Sequence, residues 1–72
     1  MPIDYSAEIN RRFTYHSPKA DQPKRYEEIR DKAHEFAMAI LNRTPESREQ
    51  SLALTALEEA VMWANASIAR RE

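Results

Sequence analysis

The sequence predicts an all-α protein, an antiparallel helical hairpin with a short N-terminal helix, assembled as a compact homo-oligomer. Two long segments place apolar residues at three- and four-residue steps, the period of an amphipathic helix. Glycine is absent, which disfavours tight β-turns and Gly-rich phosphate loops. Cysteine is absent as well, and a chain of 72 residues buries only a marginal core. Partner subunits are therefore the expected source of stability.

We expect a single domain over residues 1–72, in which residues 1–22 hold the short N-terminal helix and a connector. The helix is predicted over residues 4–12, with Ser6 as its cap. Its small apolar face would consist of Ile3, Tyr5 and Ile9. The following residues, up to Gln22, have neither a helical nor a strand period, so we expect an irregular connector there.

The first long helix is predicted over residues 23–43. Pro23 is tolerated in a first helical turn, whereas Pro45 cannot continue the helix and disfavours a helical residue before it. The predicted apolar stripe consists of Tyr26, Ile29, Ala33, Phe36, Ala37, Ile40 and Leu41. The second long helix is predicted over residues 47–71, because Ser47 and Gln50 have capping-box spacing. The link between the two helices is short, so they should pack antiparallel.

The second long helix has two apolar stripes. The inner one comprises Leu54, Leu57, Val61, Ala64 and Ile68, and the outer one Ala53, Ala56, Ala60, Trp63 and Ser67. A two-helix hairpin covers only one of them. We therefore predict an oligomer interface formed by Trp63, Ala56, Ala60 and Met62. An ordinary three-helix miniprotein with a generous core is the alternative.

Composition argues against several classes of function. The formal net charge is −1, so no global basic field attracts long nucleic acid or an anionic membrane. No signal-peptide pattern opens the sequence, and no apolar run reaches the ~18 residues of a membrane span. We expect a cytosolic protein. His16 and His34 are isolated, which leaves no metal site.

No set of residues predicts catalysis or a cofactor. Glu58 and Glu59 are adjacent on a helix and point about 100° apart, so they cannot form an acid–base pair. Potential hydroxyl nucleophiles on the same helix lack a neighbouring His–Asp pair. The expected protein is not an enzyme.

Residues 11–23 read RRFTYHSPKADQP and concentrate aromatic and basic side chains outside regular structure. Residues 1–25 hold five basic and three acidic side chains, a local charge of +2. An aromatic ring can stack on a nucleobase, and a guanidinium or ammonium can bind phosphate. The connector could thus bind a small base-plus-phosphate ligand. Alternatively, Phe13 and Tyr15 only staple the connector to the hairpin.

Three blocks of the sequence resemble the helical hairpin domain of phage anti-CBASS proteins, which are cyclic-oligonucleotide sponges. The blocks are RRFTYH, RYEEIRDKA and SREQSLALTALEEAVMWANASIAR, and the similarity runs over residues 12–70. The hairpin is also similar to a region of the Thoeris anti-defence sponge. The resemblance implies a homohexamer, a trimer of interlocked dimers, in the cytoplasm of an infected bacterial host. It implies sequestration of cyclic dinucleotides such as 3′,3′-cGAMP without cleavage, and binding of cyclic trinucleotides at separate positions.

The resemblance also assigns residues to the cyclic-nucleotide site. The base-stacking tyrosine falls on Tyr15, and the basic phosphate contact falls on Arg30, with Lys32 as the alternative. The family has a lysine at this contact, and an arginine would keep the charge and add bidentate reach. Pocket neighbours are expected to be Phe13, Thr14 and His16. Weaker candidates are Arg12, Arg70 and Arg71, the last two for a cyclic trinucleotide.

Two other functions remain as alternatives. A small adaptor could bind protein or DNA through an exposed helix face, but the sequence lacks helix-turn-helix spacing and a basic recognition helix. An enzyme that hydrolyses the cyclic messenger would need a nucleophile or a metal shell, and neither is predicted.

Overall fold

The computed structural model describes residues 4–72, which form three α-helices and no strand. Helix α1 spans Tyr5–Phe13, α2 spans Gln22–Arg43 and α3 spans Arg48–Arg71. The predicted all-helical class is confirmed for these residues. Ile3, assigned to the apolar face of the first helix, lies outside the described residues.

Helix α1 begins with a carboxylate cap. The Asp4 side chain accepts hydrogen bonds from the backbone N–H groups of Ser6 and Ala7, at 3.0 and 3.3 Å. The prediction that Ser6 caps the helix is wrong. Asp4 precedes the first turn, so its carboxylate can reach the free N–H groups, whereas Ser6 already lies inside the helix and donates one of them.

The turn between α2 and α3 is held by a capping box that is only half formed. Ser47 Oγ accepts from the Gln50 N–H at 3.1 Å, as the sequence predicts. The Gln50 side chain does not return to Ser47. Its amide nitrogen instead donates to the Thr44 carbonyl and hydroxyl oxygens, each at 3.1 Å. The first turn of α3 thereby satisfies polar groups at the end of α2.

Helices α2 and α3 pack antiparallel along the inner stripe of α3. Hydrogen bonds join the end of α2 to the start of α3, and Gln22 at the start of α2 reaches the Ile68 carbonyl near the end of α3. Leu54, Leu57, Val61 and Ala64 are half-buried, and Ile68 is the one buried apolar residue among residues 4–72. Two members of the predicted α2 stripe, Phe36 and Leu41, are exposed. The α2 stripe is wider than a single facing helix can cover.

The outer stripe of α3 is uncovered within the described chain. Ala53, Ala56, Ala60 and Ser67 are exposed, as are Met62 and Trp63. Trp63 is held against its own helix, since its indole N–H donates to Glu59 at 3.3 Å.

Residues 4–72 are elongated, with extents of 45 × 29 × 20 Å. Their radius of gyration is 15.7 Å, whereas a compact domain of this size has about 11 Å. None of the three helices combines the length and the apolar character that crossing a membrane requires. The elongated shape of the described residues leaves little apolar surface shielded within one chain.

Candidate functional site

Helix α1 is attached to the end of α3 by a buried carboxylate. Glu8 is only 7% exposed, and its carboxylate accepts from Arg71 Nη1 at 2.9 Å and from Arg12 Nε at 3.1 Å. The hydrogen bonds from Arg71 outweigh the opposing effect of burial and, with those from Arg12, lower the pKa of Glu8 to about 2. Two of the weaker candidates for ligand binding, Arg12 and Arg71, thus contact Glu8 in the single chain.

A second polar cluster joins the connector, the start of α2 and the end of α3. Gln22 is 5% exposed; its amide nitrogen donates to the Ile68 carbonyl at 3.3 Å and to the Glu72 carboxylate at 3.1 Å. Arg25 Nη1 donates to Glu72 at 2.8 Å. The hydrogen bonds from Arg25, with one from Gln22, lower the pKa of Glu72 to about 2. The same pairing raises the pKa of Arg25 above its ordinary value.

The connector between these two clusters is held at both ends. At its start, the His16 ring lies 2.8 Å from the Arg11 carbonyl oxygen at the end of α1. At its end, Gln22 accepts from the Lys19 N–H through its side-chain oxygen at 2.9 Å, and its own N–H donates to the Lys19 carbonyl at 2.8 Å. Ala20 takes a left-handed backbone conformation, φ 47°, within this turn.

Tyr15 stands at the edge of an open depression formed by the connector, the start of α2 and the end of α3. Tyr15 as a residue is 82% exposed, so its ring is available for stacking. The depression measures about 370 Å³, and its polar lining includes Arg12, Thr14, Tyr15, His16, Tyr26 and Arg70. The lining contains two guanidinium groups and no carboxylate. The arrangement presents an aromatic face and positive charge to the same space.

The structure brings together most of the site residues predicted for the connector. Thr14, Tyr15 and His16 share the depression, whereas Phe13 does not line it and is 84% exposed. Sequence reasoning assigned Tyr26 to the α2 packing stripe, but this half-buried ring also lines the depression. Its position one turn into α2, close to the connector, is the signal that could have identified it.

Arg30 and Lys32 lie further along α2, outside the Tyr15 depression. They are two residues apart, so their side chains leave the helix about 200° apart and cannot line the same groove. Arg30 lines a groove shared with Met62 and Asn65, while Lys32 lines another beside Phe36. Asn65 lines both the Arg30 groove and the Tyr15 depression. The Arg30 groove is therefore the one that adjoins the Tyr15 depression.

Arg70 and Arg71 also line a further groove between α1 and α3. Trp63 and Ser67 contribute to this groove, whose volume is about 360 Å³. Its polar character differs from that of the Tyr15 depression, because Glu8 is part of the lining. Within residues 4–72, no group of three histidine, aspartate or glutamate side chains is arranged to hold a metal ion.

Comparison with known proteins finds a match to one family model. The family model described as "Acb2/Tad1, hairpin domain" matches residues 6–69, which include nearly all of the three helices and the whole connector. No curated protein and no solved structure gives a significant match.

Proposed function

The chain belongs to the Acb2/Tad1 hairpin-domain family of anti-CBASS and anti-Thoeris sponges, and from this membership we propose that it sequesters cyclic dinucleotides such as 3′,3′-cGAMP. The family acts by binding ligands rather than by turning them over. The ligand would bind reversibly at the Tyr15 depression. It would remain an intact cyclic nucleotide while bound.

The observation that carries this proposal is the exposed Tyr15 ring beside Arg12 and Arg70. A ring that is 82% exposed at the edge of a depression can stack on a nucleobase, which is worth ~1–3 kcal/mol per base. The Arg70 guanidinium can donate charge-assisted hydrogen bonds to phosphate, and so can the Nη groups of Arg12, whose Nε is already bonded to Glu8. Arg30 would extend the site past Asn65 and contact a second phosphate, with Lys32 as the alternative contact.

We further propose that the site is completed by assembly into a homohexamer, a trimer of dimers. Tyr15 is 82% exposed in the single chain, so its ring is accessible to a second chain as well as to a ligand. The exposed outer stripe of α3 supports assembly, because contiguous apolar surface of this kind marks interaction sites. Its small residues Ala56 and Ala60 allow close approach of another helix, with Trp63 and Met62 as anchors.

A cyclic trinucleotide would bind at the groove that contains Trp63, Arg70 and Arg71, which shares Arg70 with the Tyr15 depression. Arg71 is already paired with Glu8 in the single chain, with Nη1 at 2.9 Å from the carboxylate. A phosphate bound there would compete with the Glu8 carboxylate for the Arg71 guanidinium. Binding should consequently be weaker than at an unpaired arginine, because a carboxylate–guanidinium contact must be given up.

The biological consequence would be suppression of CBASS by a phage protein in the cytoplasm of the infected bacterial host. Sequestration lowers the concentration of free messenger only under two conditions. The binding sites must outnumber the messenger molecules, and the concentration of sites must exceed the dissociation constant. The effector would then lack its activating ligand.

Equilibrium dialysis tests the proposal directly. The purified chain is dialysed against 3′,3′-cGAMP, against a cyclic trinucleotide and against a linear dinucleotide of the same bases. Retention of the cyclic ligands, with full recovery of intact ligand after denaturation of the protein, is the expected result. Equal retention of the linear ligand, or recovery of a cleaved product, would contradict it. A chain that retains none of the three would leave the adaptor alternative.

A further inference from the structure

His16 follows the stacking tyrosine directly and is tied back to the end of α1. Its Nε2 lies 2.8 Å from the Arg11 carbonyl oxygen. A carbonyl oxygen only accepts hydrogen bonds, so Nε2 must carry the proton and donate. The His16 side chain is half-buried, whereas its neighbour Tyr15 is 82% exposed. The polar contact of this dipeptide is thus made by the histidine, and the tyrosine ring is left free.

The hydrogen bond does two things for the backbone. The last carbonyl groups of a helix have no partner within it, and His16 satisfies one of them. The chain leaves α1 in an extended conformation at Thr14, φ −105° and ψ 136°, so the connector departs from the helix immediately. The His16 ring links the connector back to the Arg11 carbonyl at the end of α1. Together with the Lys19–Gln22 contacts, this hydrogen bond restrains the connector on both sides of Tyr15.

We propose that His16 is a positioning residue of the cyclic-nucleotide site, whose Nε2–H holds Tyr15 in its stacking position before the ligand arrives. This role rests on the proposed function. Ordering a loop on binding costs free energy, and a connector that is already restrained avoids part of this cost. His16 lines the same depression, but in this role it acts through the Arg11 carbonyl and the backbone of Tyr15 rather than through contact with the ligand.

The first test needs no ligand. Nuclear magnetic resonance measures the exchange of the histidine ring N–H protons with water. His34 is exposed on α2 and provides the internal reference. The Nε2–H of His16 should exchange markedly more slowly than the ring N–H of His34. Equal exchange rates would show that the hydrogen bond does not persist in solution and would overturn the proposal.

The second test compares two substitutions by calorimetric titration with 3′,3′-cGAMP. His16→Ala removes the donor and should weaken binding by roughly fivefold to tenfold, the effect of one lost hydrogen bond. His16→Gln keeps an N–H donor at the same number of bonds from Cβ and should bind within about twofold of the wild type. Circular dichroism verifies that both variants are folded. If His16→Ala does not fold, the exchange measurement and the His16→Gln titration still decide the question.

The outcomes separate the two proposals. Wild-type affinity in the His16→Ala variant would overturn the positioning role alone. Equal losses in both variants would show that the imidazole itself contacts the ligand, which also contradicts that role. A wild-type chain that binds no cyclic nucleotide would overturn the proposed function, and the positioning role with it.

Discussion

Removal of the Tyr15 ring is the perturbation whose effect can be derived most directly. Tyr15 is 82% exposed in the single chain, so Tyr15→Ala takes away little packing. The free energy of unfolding should change by less than about 0.5 kcal/mol, as is usual for surface substitutions. Affinity should respond much more strongly, because the ring supplies the stacking face of the proposed site.

The expected loss of affinity is set by base stacking. Alanine substitution at such platforms costs ~1–3 kcal/mol per base, which corresponds to a roughly 5- to 150-fold increase in the dissociation constant. Isothermal titration with 3′,3′-cGAMP measures this increase. Tyr15→Phe is the matched control, because it keeps the aromatic face and removes only the hydroxyl; it should bind nearly as well as the wild type.

Two outcomes would contradict the stacking role of Tyr15. If Tyr15→Ala binds with wild-type affinity while remaining folded, the connector does not form the stacking platform. If Tyr15→Phe loses as much affinity as Tyr15→Ala, the hydroxyl rather than the ring face makes the essential contact.

Three further predictions concern assembly, phosphate binding and acid stability. Trp63→Ala should weaken self-association by about 2 kcal/mol or more in analytical ultracentrifugation, as expected for an aromatic anchor; unchanged assembly would exclude the outer stripe as the interface. Arg30→Ala should reduce affinity for 3′,3′-cGAMP more than Lys32→Ala in calorimetric titrations, because only the Arg30 groove adjoins the Tyr15 depression, and the reverse order would assign the contact to Lys32. The folded-state pKa of Glu8, about 2, lies below its ordinary value of 4.5, so its ion pair with Arg71 contributes stability above about pH 4.5 that is lost as pH falls towards 2. Thermal unfolding of the wild type and of Glu8→Gln should therefore converge across that window, and a constant difference between them would contradict the assignment.

Much of the fold could be predicted from local patterns. The two stripes of α3 follow from helical periodicity, and the structure shows the inner one half-buried or buried and the outer one exposed. Ser47 was recognisable as a cap because its partner Gln50 is only three residues away. In each case, the residues that interact are close together in the sequence or recur at a fixed period.

The polar contacts that hold the candidate site together could not be predicted in this way. Glu8 and Arg71 are 63 positions apart, and Gln22 and Ile68 are 46 apart. Nothing in the local sequence distinguishes Glu8 or Gln22 from an ordinary surface residue, because their burial depends on how α1 and the connector fold back onto α3. Local sequence also does not reveal what covers the exposed apolar surface of α3, because in the proposed assembly the covering residues belong to another chain.

The central claim is that this chain is a stoichiometric, non-cleaving sponge for cyclic nucleotides. Native mass spectrometry of the purified protein, alone and with 3′,3′-cGAMP, tests this claim most directly because it reports subunit number and ligand mass together. We expect a hexamer that gains whole-number equivalents of ligand at its unaltered mass. A monomer or dimer that gains no ligand would contradict it, and so would ligand released at the mass of a hydrolysed product.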